Sequence, residues 1–270
     1  DAMAPHFTAG KRVLIIGGGY IGLEAAAVAS KLGLTVMLVE MADRILQRVA
    51  APETSDYFRA LHRAHGVDIR EGVGLDRLIG DDQVTGAVLT DGTEIEIDFA
   101  IVGVGVNPAT ILADSAGIAV GNGITTDDYG RTSDPSIWAA GDCASSQFHG
   151  QTIRIESVGN AIDQAEAVAV NIAGAAQPYK PKPWFWSDQY DCKLQIAGLN
   201  IGYTDVYVRH GDAEGVQSNW YYRDETLLAV DAMNDPRNYM IGKRLIEAGR
   251  SPDPALILDP ATDMKALLKP

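Results

Sequence analysis

Three glycines, Gly17, Gly19 and Gly22, and a carboxylate at Glu40 are the residues of this chain best suited to hold a phosphorylated ligand. In the spacing G-x-G-x-x-G each glycine has its own use. The first permits a tight turn out of a strand. The second lets a pyrophosphate approach backbone that a Cβ would block. The third lets the following helix pack closely on that strand. The N–H groups and positive dipole end at the start of that helix then face the phosphates. Glu40 closes the next apolar run, where a carboxylate accepts hydrogen bonds from adenosine ribose hydroxyls. It also repels a 2′-phosphate, which favours NADH over NADPH, although Arg44 and Arg48 lie near enough to counter it. Glu24, placed by this reading in the first helical turn, either complements the helix dipole or reaches the nicotinamide end of the ligand.

The spacing alone is a weak signal, and the elements around it give it force. Residues 13–16 are an apolar, β-branched run that predicts a buried parallel strand. Residues 22–32 predict a helix stopped by Gly33, and residues 35–39 a second strand. A helix over 52–65 ends at Gly66, "VDIREGV" predicts a third strand, and "VTGAVLTDGTEIEID" predicts a hairpin about Asp91-Gly92. "FAIVGVGV" predicts a further buried strand, and together these mark a Rossmann-like NAD-binding domain over 11–120.

A second candidate lies in "TSDPSIWAAGDCA". There a strand over 137–140 should end at Gly141, leaving Asp142 at a turn where it can bind a ribityl hydroxyl. A helix over about 160–173 follows. Three prolines and two tryptophans in "QPYKPKPWFWSDQ" then mark a boundary, and the remainder predicts antiparallel strands and a helix opened by Asn234 and Pro236. The expected fold class is α/β: the NAD-binding domain, a second unit over 121–180, and a C-terminal α+β domain with an antiparallel sheet over 181–270.

A net charge of −14 argues against nucleic acid as a partner, because phosphate backbones need a basic surface. No apolar run approaches the roughly 20 residues of a membrane span. Two cysteines, Cys143 and Cys192, without a CxxC pair suit a reducing, cytoplasmic setting, and no Cys/His cluster has metal-ligand spacing. Oligomeric state is left open.

"GGGYIGLE", "GVGVNP", "TSDPSIWAAGDCA", "RIESVGNAIDQA" and "PWFWSDQY" together resemble the FAD-dependent pyridine nucleotide oxidoreductases. Within that family they resemble most the NADH-dependent ferredoxin reductases of bacterial oxygenase systems. The resemblance implies that residues 121–180 are the returning half of an FAD-binding domain. The other half, with its own glycine turn, belongs before residue 11 and is not in this sequence. It also implies the cofactors FAD and NAD, and a [2Fe-2S] ferredoxin as electron acceptor. Gly17, Gly19, Tyr20, Ile21 and Gly22 would hold the NADH pyrophosphate, and Glu40 its ribose. Glu24 and Gly105 would lie near the nicotinamide. Gly141 and Asp142 would meet the FAD ribityl chain, Val158 the flavin ring, and Trp186 the isoalloxazine on the path to the acceptor. Trp186 and Glu24 are the catalytic candidates, and Trp184 is expected to be core packing.

Disulfide reductases of the same fold carry a His-Pro and glutamate pair in the C-terminal domain. Here the one histidine after Pro181 is His210, with no proline following, which argues against thiol chemistry. The other readings are an NAD-binding fragment without flavin, a rubredoxin or monodehydroascorbate reductase, and an apoptosis-inducing-factor-like protein. Arg154, Lys180, Lys182, Lys193 and Arg209 are candidates for a basic ferredoxin-docking patch.

Overall fold

The computed structural model describes residues 3–148 and 150–269. Strand β1 (Arg12–Ile16) is buried along almost its whole length, and its alternate side chains enter two different cores. Val13 and Ile15 join Leu23 and Phe58 beneath the helices. Leu14 and Ile16 join Ala87, Leu89 and Ile97 on the other face. That two-sided burial is what a continuous apolar run in a parallel sheet requires.

Helix α1 (Tyr20–Lys31) carries the chain to β2 (Thr35–Glu40), and α2 (Pro52–Ala64) carries it to β3 (Asp68–Glu71). Next come β4 (Leu75–Ile79), β5 (Gly86–Leu89) and β6 (Glu94–Glu96), which form a three-stranded antiparallel sheet. β7 (Phe99–Val102) then returns to pair in parallel with β1, giving the order β3-β2-β1-β7. β4 was not anticipated from the sequence, because only two of its residues are even half-buried.

Helix α3 (Ile111–Ser115) leads to a small sheet of β8 (Val120–Gly121), β9 (Gly123–Thr125), β10 (Ala144–Phe148) and β11 (Gln151–Ile153). The strand expected over 137–140 is not formed. The segment makes a single bridge, Arg131 to Trp138, and the Ala139 N–H donates to the Gly130 carbonyl. Among the described residues no strand runs beside it to continue a ladder. Helix α4 (Val158–Ile172) starts two residues earlier than expected, at a Ser157 cap that accepts from the Asn160 N–H.

The C-terminal sheet has the order β12-β13-β16-β15-β14: β12 (Trp184–Gln189), β13 (Cys192–Gly198), β14 (Asp205–His210), β15 (Gln217–Arg223) and β16 (Thr226–Met233). The tryptophan-rich stretch expected as a boundary is therefore an edge strand that begins directly after Pro183. Helices α5 (Pro236–Glu247) and α6 (Pro254–Leu258) complete the fold. Asp235, not Asn234, caps α5: its carboxylate accepts from the Asn238 N–H, while Asn234 takes a left-handed φ of +52° and accepts from the Lys193 N–H. Cys192, Leu194 and Met233 of the C-terminal sheet share one core with Val13, Ile15 and Phe58, so the two sheets are packed together.

Candidate functional site

From β1 the chain turns to β2 on one side, while β7 lies on the other. The crevice at the carboxyl ends of β1 and β7 is therefore the topological switch point, where open α/β sheets bind ligands. Gly17 sits there with φ +107°, and a Cβ on it would lie 2.3 Å from the Gly103 carbonyl oxygen. A Cβ on Gly22 would lie 2.0 Å from the Gly17 carbonyl oxygen, so α1 packs on the turn at backbone contact. At Gly19, the N-cap of α1, a Cβ would meet nothing within 4 Å. The open space lies at the helix N-terminus, where a phosphate would be received.

Glu40 braces the same turn. Its Oε2 accepts from the Gly18 N–H at 2.7 Å and its Oε1 from the Ala42 N–H at 2.8 Å, so each oxygen keeps a lone pair for a further donor. Arg44 is committed elsewhere, donating to Ser55 Oγ and to the Ala50 carbonyl at 2.8 Å. Arg48 reaches to 3.9 Å from the Cβ position of Gly105, whose φ is +126°. Ile21 is 63% exposed at the first turn of α1. Tyr20 points inward, its ring 5.0 Å from that of Phe185 and its buried hydroxyl without a hydrogen-bond partner among the described residues.

The structure corrects the placement of Glu24. Gly19 is already the N-cap, so α1 begins at Tyr20 and Glu24 is its fifth residue, beyond the first turn. Dipole complementation falls away as its role. Its Oε1 accepts instead from Ser187 Oγ on β12 at 2.6 Å. The next residue back, Trp186, lies on the opposite face of β12 and stacks on Trp184 at 5.4 Å. Trp184 in turn abuts Gly159, where a Cβ would fall 2.4 Å from the indole nitrogen. Trp184 is thus half-buried against the start of α4 and not in a closed core. Val158, beside it, is 59% exposed.

Asp142 lies on a 3-10 turn whose first residue, Gly141, has φ +76° and donates to Gln164 Oε1 on α4 at 2.9 Å. The Asp142 carboxylate is exposed, and no side chain among the described residues bonds it. A free acceptor, a helix N-terminus with an exposed valine and a half-buried indole suit a flavin's ribityl chain and ring edge. Arg154 ties this turn to the loop after β7, donating to the carbonyls of Asp142 at 3.1 Å and Val106 at 3.4 Å and pairing with Glu156.

Two members of the expected basic patch are therefore already engaged by backbone carbonyls. Arg154 is held as described. Arg209 is spent on the carbonyls of Ile257, Asp259, Pro260 and Thr262. Lys193 pairs with Asp188 at 3.4 Å. Lys180 and Lys182 are exposed, and Lys243, not singled out from the sequence, stands over the Trp184 ring at 5.3 Å. Ser187, Gln189 and His62 were also missed. The signal for the first two was the alternation of Phe185, Ser187 and Gln189 in a strand of period two.

The family model described as pyridine nucleotide-disulphide oxidoreductase matches residues 1–165. The chain belongs to that family. A second match, described as reductase C-terminal, covers residues 184–268 of this chain. It is 43% identical over 272 residues to the 5,5′-dehydrodivanillate O-demethylase ferredoxin reductase subunit of Sphingobium sp. strain NBRC 103272 / SYK-6, covering 99% of this chain and 66% of that protein. It is 40% identical to putidaredoxin reductase of Pseudomonas putida, covering 99% of this chain and 65% of that one. Among solved structures, the ferredoxin reductase for the CYP199A2 system of Rhodopseudomonas palustris superposes with TM-score 0.94 at 40% identity, covering 99% of this chain and 66% of that chain. The covalent putidaredoxin reductase–putidaredoxin complex superposes with TM-score 0.93 at 38% identity, covering 98% and 64%. The chain thus spans 66% or less of the length of each of these relatives.

Proposed function

We propose that the chain is the NADH-binding and acceptor-side part of a cytoplasmic flavoprotein reductase that passes electrons from NADH through FAD to a [2Fe-2S] ferredoxin of an oxygenase system. One observation carries the reading: the open backbone at Gly19 faces the same crevice as Glu40, while Glu24 joins that crevice through Ser187 to the strand bearing Trp186. The names of the relatives, ferredoxin reductases, supply the acceptor class.

In this reading Gly17, Gly19, Gly22 and the first residues of α1, Tyr20 and Ile21, receive the pyrophosphate on backbone N–H groups. Glu40 takes the ribose hydroxyls with its free lone pairs. Glu24 and Gly105 flank the nicotinamide. Asp142 holds the ribityl chain and Val158 covers the ring edge. Bound FAD supplies acceptance of a hydride and release of electrons one at a time. Trp186 closes the acceptor side and keeps water from it. Half-buried Lys243, over the Trp184 ring, together with exposed Lys180 and Lys182 would suit an acidic partner. Two cysteines left free, Cys143 and Cys192, support a reducing cytoplasmic compartment. No helix among the described residues is long and apolar enough to cross a membrane.

The test is the visible spectrum of the chain supplied with FAD, before and after anaerobic NADH, followed by addition of a [2Fe-2S] ferredoxin. Flavin bands that bleach with NADH and electrons that reach the ferredoxin support the reading. A colourless protein that binds NADH would leave a nucleotide-binding module.

A further inference from the structure

Three polar side chains, all fully buried, run in a row behind the crevice: Ser187 and Gln189 on β12 and His62 on α2, each 0% exposed. They sit in or beside a core of Leu23, Phe58, Cys192 and Leu194, where apolar residues would pack without any desolvation cost. Their hydrogen bonds form one chain. His62 Nε2 lies 2.8 Å from Gln189 Oε1. Gln189 Nε2 donates to Ser187 Oγ at 3.0 Å. Ser187 Oγ donates to Glu24 Oε1 at 2.6 Å.

The direction follows from valence. A hydroxyl has one proton, and Ser187 gives its own to Glu24, so Gln189 must present its amide N–H to Ser187 and its oxygen to His62. His62 must then carry its proton on Nε2. Burial lowers the affinity of His62 for a second proton, which keeps the ring neutral. Its free Nδ1 faces the Tyr190 hydroxyl at 3.3 Å. Tyr190 holds a left-handed φ of +57° at the β12–β13 turn, and its ring stacks on His65 at 3.7 Å and 13°. A strained backbone position is thus held by the outer end of the same chain.

The geometry of α1 and β12 explains why the chain ends where it does. Tyr20 and Glu24 are four residues apart on one face of α1, a rise of about 6 Å. Phe185 and Ser187 are two apart on one face of β12, a rise of about 6.6 Å. The near match lets Tyr20 meet Phe185 while Glu24 meets Ser187.

We propose that His62, Gln189 and Ser187 form a one-directional positioning relay that aims the Glu24 carboxylate at the nicotinamide end of the dinucleotide. The relay rests on the reading of the crevice as a dinucleotide site with Glu24 beside the nicotinamide. Apart from that carboxylate, every link is buried, so removing one leaves the next atom unpaired and Glu24 free to change rotamer.

The experiment is calorimetric titration of the 270-residue chain with NADH and, separately, with ADP-ribose, which lacks the nicotinamide end. Ser187→Ala and Gln189→Leu should each weaken NADH about tenfold and leave ADP-ribose within about twofold, the size of one lost hydrogen bond. Ser187→Thr, which keeps the hydroxyl, should restore NADH binding. Equal losses for both ligands, or no loss for NADH while Glu24→Gln loses it, would overturn the relay and leave the site intact. A Glu24→Gln variant with an unchanged NADH to ADP-ribose ratio would overturn the placement of Glu24 and the relay with it. Failure of the wild-type chain to bind either ligand would overturn the dinucleotide site itself. Nitrogen NMR of the unmutated protein is independent of variant folding: a His62 proton on Nε2 supports the relay, and one on Nδ1 overturns it.

Discussion

Thr54 on α2 donates its hydroxyl to the carboxylate of Asp231 on β16 at 2.8 Å, joining residues 177 positions apart. Tyr221 on β15 donates to the same Asp231 oxygen and accepts from the Ala51 N–H at 3.1 Å. Asn219 donates to Thr54 at 2.8 Å. A carboxyl group with no cation beside it among the described residues is therefore buried where the helical layer meets the C-terminal sheet. Burial raises its pKa from 3.8 to about 6, with the two hydroxyls pulling the other way.

The sign of the pH effect follows. A carboxyl that binds its proton more tightly folded than unfolded favours the folded state most when protonated. That contribution is complete below about pH 4 and lost as pH rises through about 6. Melting curves of the wild type and Asp231→Asn should diverge between pH 4.5 and 7.5 by roughly 2 kcal/mol, the wild type losing ground as pH rises. Parallel curves would show that the hydroxyls hold the carboxylate ionised throughout.

The glycine turn separates folding from binding. A methyl group on Gly22 collides with the Gly17 carbonyl, so Gly22→Ala should cost at least roughly 2 kcal/mol in a denaturant titration. Gly19 has an ordinary φ of −79° and open space beyond its Cα. Gly19→Ala should melt within about 0.5 kcal/mol of wild type and bind NADH more than tenfold more weakly. A Gly19 variant with full affinity would place the pyrophosphate elsewhere.

Glu40→Arg should move the preference from NADH toward NADPH, read as the ratio of affinities for ADP-ribose and its 2′-phosphate. It should also destabilise the fold by about 1–3 kcal/mol, because the Gly18 and Ala42 N–H groups lose their acceptor. An unchanged affinity ratio would remove Glu40 from the ribose.

Trp186→Ala should slow electron delivery to a ferredoxin more than reduction of the flavin by NADH, measured by stopped flow on the flavin-loaded protein. Equal slowing of both steps would move Trp186 away from the acceptor side.

The glycine turn was legible in the sequence because its constraints are local: Gly17 and Gly22 touch each other, and Glu40 reaches back only to Gly18. The hairpin at Asp91-Gly92 and the last four strands were legible for a similar reason, turn residues between alternating runs. What escaped depends on partners far along the chain. Ser187 meets Glu24 across 163 residues and His62 meets Gln189 across 127, and nothing near either position announces the other. Prolines before Trp184 masked a strand, since proline punctuates both boundaries and strand starts. The segment 137–140 has strand-like residues but no ladder to join.

Strand β12 has one further consequence. Phe185, Ser187 and Gln189 lie on the face toward α1 and α2, while Trp184, Trp186 and Asp188 lie on the opposite, outer face. Single substitutions on the outward face leave the inward one untouched. Insertion or deletion of one residue within 184–189 instead exchanges the faces, carrying an indole into the relay and a serine to the surface. On its Trp184–Trp186–Asp188 face the strand should tolerate changes of side chain better than changes of length.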